Sequence, residues 1–245
     1  MSGDSTPGKS NDYWDRAGAL GYARAMFPSS DAEAHVRGRQ WQAALDIAEE
    51  LGVPADGHIL DLGCGDGAFA NQRLAARYRK VDGIDKSDAA INRANAESRN
   101  HASFRAVDLV TFDYSSLPHY DAAFLIGILH HVKPATPGIV RAMAQCTDKM
   151  IVLEPNGSNL IRKAMEFTPS YRAAGEDSFR NKDLKAIFAA AGWRTEIWRR
   201  VSIFPNFTPS FVCHALAPIE PWIERNRFWN ALCTVDMYGL TLSAR

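Results

Sequence analysis

Short apolar runs alternate along the chain with stretches whose apolar residues recur at helical spacing. These two patterns distinguish strands buried on both faces from helices buried on one face. The runs predicted to be strands span residues 59–62, 81–84, 102–107, 120–127, 150–153, 193–201 and 239–244. The stretches predicted to be helices span residues 11–27, 32–51, 68–78, 87–99 and 139–145, followed by a helix that runs from Asn181 or Asp183 to Gly192.

This alternation predicts an α/β fold. Nearly continuous apolar strands joined by helices form a parallel sheet that is covered on both faces and has right-handed crossovers. Gly52 and Pro54 follow the second helix, as expected after a helix terminus, and Ser87 stands at the N-cap position of the fourth. Because two helices precede the first strand, we predict a helical N-terminal cap over residues 11–55.

Composition narrows the classes of function. The chain has 245 residues, of which 46% are hydrophobic and 23% charged, and this suits one domain over residues 11–245. The formal net charge is zero, so the totals give no reason to expect a nucleic-acid partner. Residues 1–10 are polar and lack an apolar core, so we expect a disordered leader and not a signal peptide.

The apolar runs and the cysteines indicate a compartment. The longest apolar run, residues 122–129, is far shorter than the roughly 20 residues that a membrane-spanning helix needs. The cysteines at 64, 146, 213 and 233 lack Cys-x-x-Cys spacing, which argues against a disulfide framework and against a zinc site. We therefore expect a cytoplasmic protein without an integral membrane segment or a metal site.

Two segments, at about 157–180 and about 204–237, do not fit the alternation of strands and helices and are predicted to be insertions. The second is rich in aromatic residues, among them Phe204, Phe211, Trp222 and Trp229. Aromatic clusters of this kind can belong to a core, a subunit contact or a pocket lining. Additions at the ligand edge of an α/β sheet usually select the substrate, so we interpret both segments as helical substrate lids. A homodimer contact is the alternative for the aromatic segment.

A glycine-rich turn follows the first predicted strand without a spacer, in the sequence Ile-Leu-Asp-Leu-Gly-Cys-Gly-Asp-Gly of residues 59–67. Glycines at three alternate positions predict positive φ angles or a close approach of the backbone to a ligand. In an open parallel sheet the ligand lies beyond the carboxyl ends of the strands, at the point where the strand order reverses. We therefore expect this turn to bind a ligand.

Three aspartates accompany the turn. Asp85 ends the second strand, where a carboxylate can accept both hydroxyls of a ribose, although it can also help to cap the helix that begins near Ser87. Asp108 ends the third strand and can reach the amino group of an adenine or lie in a solvated turn. Asp61 lies inside a buried strand, where a carboxylate is costly unless it orders the loop amides or faces a cationic ligand.

These residues resemble the class I S-adenosylmethionine-dependent methyltransferases. The strand end Glu-Pro-Asn at 154–156 and the later helix within 178–193 resemble the branch of small-molecule bacterial enzymes. The resemblance is carried by residues 59–67, by Gly-Ile-Asp-Lys-Ser at 83–87, by Val-Asp at 107–108 and by residues 120–132. It implies a Rossmann-like three-layer sandwich with a mostly parallel seven-stranded sheet whose last strand is antiparallel. It also implies S-adenosyl-L-methionine as the cofactor.

The resemblance further implies which residues bind the cofactor. Asp61, Gly63 and Gly65 would surround its methionine part, Asp85 would bind the ribose, and Asp108 would lie beside the adenine. Gly127, at the end of the fourth strand, would face the amino-acid moiety. The predicted set is Asp61, Gly63, Cys64, Gly65, Asp85, Lys86, Asp108, Leu109 and Gly127.

Two adjacent histidines, His130 and His131, follow the fourth predicted strand and are the candidate catalytic residues. Methyl transfer from a sulfonium depends mainly on alignment and exclusion of water, but a hydroxyl or a protonated amine as acceptor would benefit from a general base. Nucleic-acid methyltransferases that act on amines carry an Asn/Asp-Pro-Pro-aromatic motif here, whereas this chain has Gly-Ile-Leu-His at 127–130. We therefore predict methyl transfer to an oxygen or nitrogen of a small molecule, such as a sugar, a lipid-linked intermediate or a secondary metabolite.

Two other classes of function fit part of this pattern. Gly63, Gly65 and Ala68, with Asp85 about 20 residues further on, also satisfy the permissive fingerprint of an NAD(P)-dependent oxidoreductase. However, the chain has no Tyr-x-x-x-Lys constellation, and Asp61 would lie unfavourably close to a pyrophosphate. A non-catalytic protein that only binds S-adenosylmethionine is the third possibility.

Overall fold

A computed structural model of the protein describes residues 16–18, 20–98, 101–159, 162–163 and 177–243. Seven strands form one sheet, and in chain order they are β1 (His58–Leu62), β2 (Lys80–Asp85), β3 (Ala102–Ala106), β4 (Ala122–Ile126), β5 (Lys149–Pro155), β6 (Trp193–Val201) and β7 (Val235–Leu242). The order across the sheet is β3-β2-β1-β4-β5-β7-β6. β7 is antiparallel to both of its neighbours, and the other pairs are parallel. The predicted α/β fold, with its antiparallel last strand, is confirmed.

Helices occupy most of the connections between the strands. They are α1 (Tyr22–Met26), α2 (Ser30–Glu50), α3 (a π-helical segment, Ala70–Leu74, continued by Ala75–Arg77), α4 (Asp88–Ala96), α5 (Thr136–Met143), α6 (Asn181–Ala190), α7 (Ser210–Leu216) and α8 (Glu220–Arg225). The Ser87 hydroxyl accepts a hydrogen bond from the Ala90 N–H at 3.3 Å, which confirms the predicted N-cap of α4. Ser29 caps α2 in the same way.

Consecutive residues of each central strand face opposite sides of the sheet, so one strand contributes to two cores. In β1, Ile59 packs with residues of α2, α3 and α4 on one face. Its neighbour Leu60 packs with residues of α5 and α6 on the other face. Every residue from Ile59 to Leu62 is buried, so the aspartate in this strand is enclosed from both sides. This is the predicted three-layer sandwich.

The strand order places the functional loops side by side. The chain runs outward from β1 to β2 and β3, and then returns to β4 on the other side of β1. The loops that follow β1 and β4 therefore leave the same edge of the sheet at the switch point, where ligands of open α/β sheets bind. A Cβ atom added to Gly63 would lie 2.4 Å from Cγ1 of Ile128, so the two loops are in direct contact.

The last strand begins earlier than the apolar pattern predicts. β7 starts at Val235, four residues before the predicted start at Gly239, because Val235 to Tyr238 pair with both β5 and β6. The predicted insertion over 204–237 therefore overlaps the first residues of this strand. The fourth strand is shorter than predicted, since Tyr120 makes only an isolated bridge to Thr147.

Some predicted segments lie outside the described residues. These are the leader over 1–10, the first residues of the N-terminal cap and most of the insertion over 157–180. The division into one domain with a cap and two insertions stays a prediction. Within the described ranges, no helix is long and apolar enough to cross a bilayer.

Candidate active site

The turn after β1 is shaped by glycines in the left-handed region. Gly63 has a φ of 74° and Gly65 a φ of 55°, a conformation that other L-residues adopt only with strain. The N–H groups of Gly63 and Cys64 both donate to the Ile84 carbonyl, at 2.8 and 3.1 Å. A Cβ atom on Gly65 would lie 2.4 Å from Cε2 of Tyr22, because α1 passes directly over the turn. The turn thus presents bare backbone in a closely packed setting.

Asp85 joins the end of β2 to this turn. Its Oδ2 accepts a hydrogen bond from the Gly65 N–H at 2.9 Å, and its Oδ1 accepts one from the Ser87 N–H at 2.9 Å. Burial raises the pKa of Asp85 above its ordinary value, and these backbone donors oppose the rise. The Lys86 N–H is a third backbone donor to this carboxylate. A carboxylate has about four acceptor positions, so Asp85 retains capacity for a hydrogen bond from a ligand. Its contact with Ser87 and a role in ribose binding are therefore compatible.

Asp61 is the least satisfied carboxyl group of the site. Its side chain is buried and only 2% exposed, and its Oδ2 has no hydrogen-bond partner among the described residues. Burial and the nearby carboxylate of Asp85 raise the pKa of Asp61 to about 8. The amides of Gly63 and Cys64 donate to Ile84 instead, so ordering those amides is not the role of Asp61. A cationic ligand would offset the cost of this buried carboxylate.

Asp108 lies in a turn after β3 and remains partly exposed. Its Oδ1 accepts a hydrogen bond from the Val110 N–H at 3.0 Å, and its Oδ2 lies 3.9 Å from Nζ of Lys86. The neighbouring Leu109 is buried, and its carbonyl accepts the Tyr114 hydroxyl at 3.0 Å. The turn geometry expected for a solvated aspartate is therefore present, and it holds the carboxylate beside an apolar wall.

One cavity of about 810 Å³ brings the predicted residues together. All nine predicted cofactor-binding residues and both candidate histidines line it. This volume is in the upper part of the range for small-molecule and cofactor sites. The cavity can thus hold a nucleoside-sized cofactor and an acceptor side by side.

The loop after β4 carries a buried histidine–carboxylate pair. Nδ1 of His130 lies 2.8 Å from Oε2 of Glu154, and the side chains are 4% and 1% exposed. The Leu129 N–H donates to Oε1 of Glu154, and the His130 N–H donates to Oε2. Gly127, with a φ of 68°, starts the loop and places it against the cavity. Since the carboxylate holds Nδ1, the nitrogen of His130 suited to exchange protons with a substrate is Nε2.

His131 follows on the same 3₁₀ turn, Leu129–Val132. Its ring centroid lies 3.9 Å from that of His130, and both side chains line the cavity. Glu154 holds the His130 ring through Nδ1 and also accepts the N–H groups of Leu129 and His130. The geometry of the pair favours His130 over His131 as a base.

Sequence reasoning missed Glu154 as a site residue. Glu154 is buried and lies near the carboxyl end of β5, the end of the strand at which ligands of α/β sheets bind. A carboxylate that ends a nearly continuous apolar strand was the signal that could have identified it. The cavity is also lined by residues of the cap and of the strand end before the second insertion that were not predicted as site residues, including Tyr22, Phe27, Arg37, Trp41 and Ile203.

Comparison with known protein families gives one family-model match, to a methyltransferase domain over residues 33–196. Among curated proteins, the chain is 29% identical over 102 residues to the ubiquinone biosynthesis O-methyltransferase of Nitrosomonas europaea. That match covers 40% of this chain and 43% of the relative, so the chain spans less than half of the relative's length.

Solved structures share the fold at low identity. Magnesium protoporphyrin IX methyltransferase from Synechocystis PCC 6803, with bound SAH, has a TM-score of 0.63 and 16% identity, covering 95% of this chain and 98% of its own. N-methyltransferase NodS from Bradyrhizobium japonicum WM9, in complex with S-adenosyl-L-homocysteine, has a TM-score of 0.60 and 12% identity, covering 93% and 100%.

Proposed function

Since the chain belongs to the family of methyltransferase domains and is an S-adenosyl-L-methionine-dependent enzyme, we propose that it methylates a hydroxyl oxygen of a small molecule with an apolar body. The observation that carries the choice of oxygen is the buried pair of His130 and Glu154. The family match gives the oxidoreductase alternative no support.

The residues at the carboxyl ends of β1 and β2 fit the cofactor. S-adenosyl-L-methionine supplies an activated methyl group on a positively charged sulfur. The buried carboxyl of Asp61 would offset this positive charge or that of the ammonium group, and the remaining acceptor capacity of Asp85 would take a ribose hydroxyl. Gly63 and Gly65 let the turn pack directly against Ile128 and Tyr22, since a Cβ atom at either position would collide with those side chains, and both glycines line the cavity that would hold the methionine part.

A hydroxyl acceptor must lose a proton as the methyl group arrives. His130 lines the cavity, and Glu154 orients its ring through Nδ1, so Nε2 would accept that proton. The carboxylate would stabilise the imidazolium that forms, as in other oriented His–carboxylate pairs. A neutral amine acceptor loses its proton only after transfer and depends less on such a base.

The lining of the cavity as a whole is mainly apolar. Outside the predicted cofactor residues, Phe27, Trp41, Ile203 and Leu232 contribute to it, beside the polar side chains of Arg37, Gln40 and Asn159. The guanidinium of Arg37 lies over the rings of Phe27 and Trp41, at 5.2 and 5.5 Å from their centroids. Such a lining suits a flat or hydrocarbon-rich acceptor better than a sugar, whose hydroxyls require many polar partners. The O-methyl transfer named for the Nitrosomonas relative agrees with this choice.

The acceptor class can be tested with labelled cofactor. The purified chain is incubated with methyl-labelled S-adenosylmethionine and three matched sets of compounds: phenols, the corresponding anilines, and sugars. We expect label on phenolic oxygen, with turnover of the anilines and sugars lower by at least about a hundredfold, because the base would convert the phenol into the more nucleophilic phenolate, whereas the anilines gain nothing from a base and the sugars lack apolar contacts. Preferential labelling of the anilines or of the sugars would contradict the proposal.

A second prediction concerns the proton on Asp61. Because the pKa of Asp61 is raised to about 8 in the ligand-free protein, this carboxyl is protonated at neutral pH and must ionise to pair with a cation. We therefore expect the affinity for S-adenosylmethionine to rise between about pH 6 and pH 7.5, by up to about tenfold per pH unit. Titration calorimetry in buffers of different ionisation enthalpy would detect release of about one proton per cofactor bound.

The matched variant is Asp61→Asn, which keeps the shape and removes the ionisation. We expect it to bind the cofactor more weakly, without proton release and without the rise in affinity. The ligand-free wild type should also lose stability as pH rises from the ordinary aspartate pKa towards 8, because the folded state holds the proton more tightly than the unfolded state. Proton release that is the same in wild type and Asp61→Asn would show that Asp61 does not contact the cofactor's charge.

A further inference from the structure

Most of the large apolar side chains that are exposed lie in one stretch of the chain. Among the described residues, eight of the eleven large hydrophobic residues with exposed side chains fall between positions 207 and 232. They are Phe207, Phe211, Leu216, Ile219, Trp222, Phe228, Trp229 and Leu232. We call this surface the 207–232 face. A concentration of exposed apolar residues in one segment marks an interaction surface more often than chance exposure does.

The underside of this segment is firmly attached to the domain. Phe204 and Cys213 are buried with Val36 of α2 in a small hydrophobic cluster. This attachment holds α7 and α8 in place. The exposed apolar side chains of the segment are therefore not left exposed because the segment is detached from the domain.

The acidic residues of the segment also face inward. Glu220 is fully buried, and its Oε2 lies 2.9 Å from Nε of Arg39 and 3.0 Å from Nε2 of His35. Glu224 lies 2.5 Å from Nη2 of Arg39. Their other oxygens accept the N–H groups of Ile203 and Ser202. Both carboxylates of the segment are therefore committed to the domain.

The charges left on the outside of the segment are positive. Arg225 and Arg227 are exposed, next to the exposed rings of Phe228 and Trp229. Neither arginine makes an ion pair with a described residue. The 207–232 face thus combines aromatic and aliphatic side chains with cationic groups and presents no carboxylate of its own segment.

The face is continuous along the chain with the lining of the cavity at both ends of the segment. Pro205 and Asn206 line the cavity immediately before Phe207, and Leu232 both lines the cavity and belongs to the face. The exposed apolar side chains and the cavity are therefore parts of one continuous segment.

We propose that the 207–232 face docks on the surface of an anionic lipid bilayer. Trp and Phe side chains partition into the interface between headgroups and acyl chains, and arginines beside them are attracted to anionic headgroups. A two-fold dimer through the same face would bury these arginines with no carboxylate of the segment to pair with them, which disfavours a second copy as the occupant. Resting on the proposed function, the docked enzyme would take its apolar acceptor from the membrane.

Vesicle binding tests the docking directly and without any acceptor. The full chain is centrifuged with vesicles of phosphatidylcholine alone and of phosphatidylcholine with phosphatidylglycerol. We expect binding to the anionic vesicles that weakens with added salt, and little binding to the neutral ones. Absence of binding to the anionic vesicles would overturn the proposal.

Matched variants locate the contact. Phe228→Ser with Trp229→Ser, and separately Arg225→Glu with Arg227→Glu, should each weaken binding to anionic vesicles by at least about tenfold. Leu20→Ser changes an exposed apolar residue outside the face and should bind as the wild type does. Equal binding by all variants would overturn the assignment, and so would a concentration-dependent dimer that the Phe228 and Trp229 changes dissociate. Turnover of a water-soluble phenol should be unchanged in the face variants, so failure here is distinct from failure of the proposed hydroxyl acceptor.

Discussion

Replacing Gly65 with valine is expected to weaken the binding of S-adenosylhomocysteine by at least about a hundredfold. The φ of 55° at this position is strongly unfavourable for a β-branched residue. The new Cβ atom would also lie 2.4 Å from Cε2 of Tyr22, so the turn or α1 must move. Either movement would disturb the hydrogen bond from the Gly65 N–H to Asp85, which links the turn to the predicted ribose site. Titration calorimetry with S-adenosylhomocysteine measures the effect.

Gly38→Val is the matched control, because it makes the same chemical change at a glycine whose added Cβ would meet no atom within 4 Å. Gly38 lies in α2, where valine has an ordinary helical conformation, so affinity should stay within about twofold of the wild type. Thermal unfolding without ligand shows whether the Gly65 variant is folded, and Gly65→Ala provides a milder change if it is not. Unchanged affinity in a folded Gly65→Val would contradict the assignment of this turn to the cofactor.

The fold could be predicted from the sequence because its central strands are buried on both faces. The residues Ile59, Leu60 and Leu62 are apolar regardless of which side they face, so the run is visible without knowing its neighbours. The start of β7 was missed because Asp236 interrupts the apolar run. Its carboxylate is buried and accepts hydrogen bonds from Trp198 and Arg200 of the neighbouring β6, which cannot be known before the strands are paired.

The candidate site likewise has one part that local sequence patterns predict and one part that depends on how the strands pair. The glycine turn and Asp85 belong to short local patterns, so spacing along the chain was sufficient to predict that they lie together. The contact between His130 and Glu154 joins residues from the loops of two strands. It depends on the pairing of Ile126 with Leu153, which places the loop after β4 beside the end of β5. A single sequence does not show the register in which two strands pair. His130 was therefore predicted as a base without Glu154, the carboxylate that orients it.

The second large effect is expected at this pair. His130→Ala should lower kcat for a phenolic acceptor by about 10²- to 10⁴-fold, the range for loss of a positioned general base. The affinity for S-adenosylhomocysteine should change little, because His130 is not among the predicted cofactor residues, which apart from Gly127 follow β1, β2 and β3 or end those strands. With saturating S-adenosylmethionine, which removes the contribution of Asp61 to cofactor affinity, kcat of the wild type should fall at acidic pH, where a protonated imidazole cannot accept a proton, and the variant should lose this fall.

Three further variants decide how the pair works. Glu154→Gln keeps the size of the side chain but exchanges an acceptor for an amide, so it should lower kcat and alter the pH profile while cofactor affinity is retained. His131→Ala should have a smaller effect than His130→Ala, since Glu154 holds the His130 ring through Nδ1 in the orientation proposed for the base. His101→Ala, at an exposed position away from the cavity, is the matched control and should behave as the wild type does. If His130→Ala retains full kcat with a phenol, His130 is not the base, and transfer to oxygen then depends on alignment within the cavity alone.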